Sequence, residues 1–225
     1  SAFSRWLDIA AVLAALGLVS YANTFDVPFH FDDYQSMATA PADAVGRSPW
    51  QAPASRFLVG LSLALNHALS GMEVWSYHAF NLVVHLLAGL TLLGLVRRTL
   101  ESEVLGTEWR SSARALAFAV ALLWFVHPLQ TQAVTYIIQR AESMMGLLFL
   151  LTLDCALRAH DSPRKGWWWA GAAAAFLLGL GSKQVIIMAP VVVALYYWIF
   201  FPGSCRSRGA KWTCAALGAA WLAGS

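Results

Sequence analysis

The chain has 225 residues, of which 59% are apolar and 12% charged, and its formal net charge is +3. An apolar share of that size, with 11 Trp and 12 Phe, exceeds what a soluble domain of this length uses, and its distribution in long runs leaves no room for a second globular core. The composition therefore excludes a soluble enzyme and a nucleic-acid-binding module, and it predicts an all-α, polytopic helical membrane protein. Cys155, Cys205 and Cys214 have no CxxC spacing, so they offer neither a zinc site nor a disulfide framework.

The first apolar run covers residues 6–22, is led by Arg5 and is interrupted by Asp8. Its Ser20-Tyr21-Ala22 end has the small-x-small form of a cleavage site, but further apolar runs follow and no initiator Met precedes it, so it is read as a span. Residues 23–75 form the first outer loop. Near its start, FDVPFHFDDY (residues 25–34) sets Asp32 beside Asp33 among aromatic residues and His30. Paired carboxylates just beyond a membrane segment suit binding of a cation or uptake of a proton; the simpler alternative is that Asp32 caps the next helix. Pro28, Pro41, Pro49 and Pro53 make the loop an ordered excursion with short helices. The run RFLVGLSLALNHAL (56–69) is too short to cross a bilayer and carries Arg56, Ser62, Asn66 and His67, so it is expected to be an interfacial or re-entrant helix.

The second span is expected over 76–96. His78, Asn81 and His85 fall on one face of it, and such a stripe should face a cavity or a neighbouring helix; hydrogen bonding between helices is the competing use. After Arg97, Arg98 and a hydrophilic loop to Arg114, a short span over 115–126 ends at His127-Pro128. TQAVTYIIQRAES is predicted to run as an amphipathic helix into a fourth span reaching Leu157, with Gln132, Tyr136 and Arg140 at i, i+4 and i+8 on one face. The fifth span, about 166–181, opens on three tryptophans of the kind that anchor at an interface. A short turn, Ser182-Lys183-Gln184, leads into the sixth span, 185–201. A seventh apolar run follows the basic loop 202–212 and is expected to be truncated at Ser225, so residues 1–225 are read as one membrane module.

On that topology eleven basic residues fall inside, while Arg47, Arg56, Arg140 and Lys183 make the four outside. The Asp32-Asp33 loop, the stretch from His127 to Arg140, and Lys183 then share the extracytoplasmic face. An arginine and a lysine facing paired acids across a cavity make a site for a phosphate headgroup together with a hydroxyl that must lose its proton. A lipid-linked phosphosugar has both parts. An ion or solute transporter could gather the same residue types at its mouth, though no internal repeat of spans is visible.

YANTFDVPFHFDDY, SLALNHALSGMEVWSYHAFNLVVHLLAGL and above all HPLQTQAVTYIIQRAESMMGLLFLL resemble the membrane module of bacterial relatives of the transmembrane O-mannosyltransferases that target cadherins. The resemblance covers nearly the whole chain. It implies a GT-C-like module, normally followed by tetratricopeptide repeats, in an inverting glycosyltransferase of the bacterial inner membrane whose site faces the periplasm or exterior. It also implies a polyprenyl-phosphate-linked sugar donor, an acceptor protein or glycan, and an acidic pair at the active site. Asp32 matches the first member of that pair and Asp33 the second. With Asp32 and Asp33 catalytic, Arg140 and Lys183 are the expected donor-phosphate ligands, and His78, Asn81, His85, His127, Gln132 and Tyr136 are expected to line the cavity. A divalent cation is the open question about cofactors; Asp33 and His78 would be its ligands. Lys183-Gln184 departs from the Lys-Glu of many family members, which puts in doubt any role that needs a carboxylate at position 184. The alternative to an enzyme is a membrane scaffold for a repeat domain, or a transporter.

Overall fold

A computed structural model describes residues 2–30, 33 and 56–201. The described residues are helical, without strands, as the composition predicts. Eight α-helices have both ends among the described residues, in order: α1 Ala2–Ser20, α2 Phe57–Ser70, α3 Val74–Leu100, α4 Ala113–Phe125, α5 Thr131–Thr135, α6 Arg140–Asp161, α7 Lys165–Leu180 and α8 Ala189–Phe200. Among the described residues two stretches are long and apolar enough to cross a membrane, Val74–Leu100 and Ile137–Asp161, and α4 with the bent continuation Pro128–Thr135 makes a third if the pair counts as one span. The first and sixth expected spans appear as shorter apolar helices, Asp8–Ser20 and Gln184–Phe200, the fifth is the 16-residue α7, and the seventh apolar run lies outside the described residues.

α3 sets the frame. Its 27 residues would extend about 40 Å at 1.5 Å per residue, more than the hydrocarbon thickness, and its last turn carries Arg97 and Arg98 where cations suit the helix dipole. Against it α4 turns Ala113, Ala117, Ala121 and Phe125 inward, a four-residue repeat of mostly small side chains. Small residues let two helices approach closely in an apolar setting, where dispersion rather than water drives association. The third helix of the frame, α6, packs most extensively on α7 and also along α3.

Two apolar clusters lie toward opposite ends of this frame. Phe29, Val59, Leu63, Tyr77, Ile137 and Ala141 join the first loop to α2, α3 and the start of α6. Leu95, Leu153, Ala156, Leu157, Ala172 and Val193 join the far ends of α3 and α6 to α7 and α8. Beside the second cluster, Asp154 is buried in α6 and accepts from Arg158 Nε at 2.6 Å, with Arg98 Nε at 3.3 Å. The Arg158 guanidinium also lies 4.9 Å from the centre of the Trp168 ring. One acid thus draws together the basic ends of α3 and α6 that the charge count assigns to the inside.

Two breaks shape the opposite end. α4 stops at Phe125, and the chain resumes over Pro128–Thr135 at 52° to it; Pro128 cannot donate the N–H that would continue the helix. The second break corrects an expectation. TQAVTYIIQRAES is not one continuous helix: α5 ends at Thr135, Tyr136 is extended (φ −85°, ψ 116°), and Ile137–Gln139 form a 3-10 turn before α6 begins. The Ile138 N–H is taken by a carboxylate of the first loop, a long-range partner that overrides the local periodicity. Gln132, Tyr136 and Arg140 consequently do not share a face; Gln132 is exposed, Tyr136 half-buried and Arg140 buried.

After α7, the turn into Gln184–Met188 packs Ile186 directly on Gly179, where any added side-chain atom would collide. Pro190 sits in the first turn of α8, the place in a helix that tolerates it.

Candidate active site

α2 and the N-terminal ends of α3 and α6 meet around Arg140. Its side chain is wholly buried, 0% exposed. Nε donates to Asn81 Oδ1 at 3.1 Å, Nη1 donates to Asn66 Oδ1 at 2.8 Å and Ser62 Oγ at 3.2 Å, and Nη2 donates to the Tyr77 carbonyl at 3.1 Å. The guanidinium also lies over the Phe80 ring at 4.6 Å. All of its bonded acceptors are neutral. A cation buried this deeply is held because its N–H groups are met by oriented dipoles, and losing those partners would expose the full desolvation penalty. Ser62 and Asn66 are one turn apart on α2, and Tyr77 and Asn81 one turn apart on α3, so each helix presents two acceptors to the same fork.

Asp33 is 2% exposed. Its Oδ1 accepts the Ile138 N–H at 2.9 Å and its Oδ2 accepts the His30 N–H at 3.0 Å, while its own N–H donates to the His30 carbonyl at 2.8 Å. The carboxylate thereby fastens the first loop to the turn that leads into Arg140, and its charge is within electrostatic reach of both Arg140 and His78. Asp32 lies outside the described residues.

Each residue of the polar stripe of α3 bonds a carbonyl of another element, although His78 Nδ1 is buried without a hydrogen-bond partner. His78 Nε2 donates to the Val27 carbonyl at 3.0 Å, Asn81 Nδ2 to the Val134 carbonyl at 3.2 Å and His85 Nε2 to the Phe125 carbonyl at 2.8 Å. The latter two carbonyls end α5 and α4, where the helical ladder supplies no N–H. Tyr21, just past α1, donates its hydroxyl to the same Phe125 carbonyl at 3.2 Å. Among the described residues, the stripe realises bonding between elements. His127 is exposed and accepts from the Leu129 N–H at 3.2 Å; with Gln132 it stands apart from the buried group.

Lys183 is reached from a different direction. Its amine pairs with Glu142, and the two side chains are 35% and 36% exposed. Among the described residues no group of three or more His, Cys, Asp and Glu side chains could hold a metal ion. Each Asp33 oxygen accepts one N–H group and keeps a second lone pair, so a cation held by Asp33 and His78 would need further ligands from elsewhere.

The structure therefore brings together Asp33, His78, Asn81 and Arg140 and holds Lys183 beside Glu142. Sequence reasoning missed the participation of Ser62, Asn66 and Tyr77. The signal was present in the four-residue spacing of Ser62 and Asn66, polar interruptions of an otherwise apolar run.

Over 211 aligned residues the chain is 28% identical to protein O-mannosyl-transferase TMTC2 of Mus musculus and equally to that of Homo sapiens, covering 84% of this chain and 24% of each relative. It is 30% identical over 174 residues to protein O-mannosyl-transferase tmtc2 of Xenopus laevis, covering 69% of this chain and 19% of that one. Its homologues are protein O-mannosyl-transferases. The chain spans about a quarter of the length of the mammalian relatives and less of the amphibian one. No protein-family model and no solved structure matches it.

Proposed function

We propose that the chain is the GT-C-like membrane module of a glycosyltransferase that moves mannose from a polyprenyl-phosphate donor to a protein hydroxyl on the extracytoplasmic face, with inversion. The observation that carries this reading is the bond from Ile138 N–H to Asp33, which ties the acidic loop to the segment bearing Arg140. Similarity to O-mannosyl-transferases supplies the reaction class.

In the proposed reaction Asp32 takes the proton of the acceptor hydroxyl as that oxygen attacks the anomeric carbon. The bond from the anomeric carbon to the phosphate oxygen breaks on the opposite face, and its electron pair leaves with the polyprenyl phosphate. Phosphate gains charge as the bond breaks, so a cation placed there stabilises the transition state more than the ground state. Lys183, the half-exposed cation, takes the phosphate. Arg140 contributes its charge from inside the wall it organises, a refinement required by its burial and its occupied N–H groups. Asp33 orients the acidic loop.

The direct test is transfer of labelled mannose from polyprenyl phosphomannose to protein by the full-length protein in detergent. Transfer that depends on the lipid-linked donor is the expected result; transfer from a nucleotide sugar instead would overturn the donor assignment. The side of the membrane is checked separately. In a background with Cys155, Cys205 and Cys214 replaced, a cysteine at Gln132 is expected to label from outside intact cells and one at Glu103 only after permeabilisation. Labelling of position 103 in intact cells would reverse the topology.

A further inference from the structure

Glu142 has no part in the reaction just described, and its pairing with Lys183 gives it one. Lys183 is rooted rigidly: its backbone is extended (φ −155°, ψ 140°), its N–H donates to the Gly179 carbonyl at 3.1 Å, and the adjoining Ser182 is wholly buried. The carbonyl of Gly181, two residues earlier, accepts the Leu58 N–H of α2 at 2.8 Å. Only the amine end of Lys183 is free to choose partners. Glu142 lies in the first turn of α6, where a helix favours a negative charge. It points away from the buried Arg140 two residues earlier and toward the lysine. Both members of the pair are about one-third exposed, so an anion arriving from the outer face can reach either.

We infer that Glu142 is a resident counter-ion for Lys183 that competes with the phosphate of the lipid donor and returns when the lipid phosphate leaves. This rests on the proposed role of Lys183 at the donor phosphate. The chemistry of the reaction motivates it. The donor is a phosphodiester with one negative charge, whereas the departing polyprenyl phosphate is a monoester that carries up to two. An uncontested lysine would hold the product more tightly than the substrate. A carboxylate within reach weakens both complexes and leaves Lys183 paired when the lipid departs, so product release does not strand a half-buried cation.

The experiment measures binding of a long-chain polyprenyl monophosphate to the full-length protein in detergent. Wild type is compared with Glu142→Gln, Glu142→Asp, Lys183→Met and the double variant Glu142→Gln/Lys183→Met. Glu142→Gln is expected to tighten binding about two- to fivefold, the range set by a partly exposed ion pair, and to sharpen inhibition by that lipid to the same extent. Glu142→Asp, which keeps the charge but withdraws it by one methylene, should fall between. Lys183→Met should weaken binding and abolish the gain from Glu142→Gln in the double variant. Unchanged or weaker binding in both Glu142 variants overturns the inference, as does a gain that survives without Lys183, since that would be general charge rather than competition for one partner. Wild-type binding by Lys183→Met is a separate result and removes Lys183 from the phosphate site.

Discussion

Methionine in place of Arg140 is expected to cost about 2–5 kcal/mol of stability, because each buried acceptor left without its donor carries a desolvation penalty of about 1–3 kcal/mol. The substitution keeps some bulk but leaves Asn66 Oδ1, Asn81 Oδ1 and Ser62 Oγ without the donor that now joins them. Three helices lose their common tie. Arg140→Lys should be nearly as damaging, because a single ammonium cannot reach acceptors spread around a planar fork. Equilibrium unfolding in detergent micelles measures the difference. A loss below about 1 kcal/mol, the worth of an ordinary hydrogen bond, would show that the buried network does not hold α2, α3 and α6 together. An Arg140→Met protein of native stability that no longer binds donor would restore direct contact with the phosphate.

The largest effect on chemistry is expected from Asp32→Asn. The amide has the shape of the carboxylate without its basicity, so transfer should fall by about 10² to 10⁴, the typical worth of general base catalysis, while donor binding persists. Asp33→Asn is predicted to act differently. Asparagine can still accept the Ile138 N–H through its oxygen, but its NH2 would face the His30 N–H that Oδ2 now accepts. Loss should therefore appear in the placement of the loop rather than in proton transfer. Both variants are compared in a single-turnover donor-release assay. A wild-type rate in Asp32→Asn would move the base to Asp33.

The helices were legible from apolar runs and their polar interruptions. The stripe of His78, Asn81 and His85 could be read from its spacing, and the structure bonds all three to neighbouring elements. What the spacing could not reveal was their partners, because these are carbonyls freed by breaks elsewhere in the chain. The break at Tyr136 was illegible for a related reason. Its local sequence supports a helical face, and the competing bond comes from Asp33, 105 residues earlier than Ile138. Arg140 was visible as a cation near the expected outer interface, but one-dimensional reading could not separate an arginine facing a cavity from one enclosed by amides and hydroxyls on α2 and α3. Lys183 was legible as a cation in a turn, and its pairing with Glu142 was not, since α7 intervenes between them.

The polar face of α3 also imposes an order on synthesis. Asn81 and His85 bond carbonyls that lie 53 and 40 residues further along the chain. At a translation rate of about 5–20 residues per second, those carbonyls are made roughly 2 to 10 s after the side chains that will bond them. During that interval α3 has two polar groups whose final partners do not yet exist, so it cannot settle into lipid as a finished span. The polar face of α3 is therefore completed only when α4 and α5, the two broken helices that follow it, supply their terminal carbonyls.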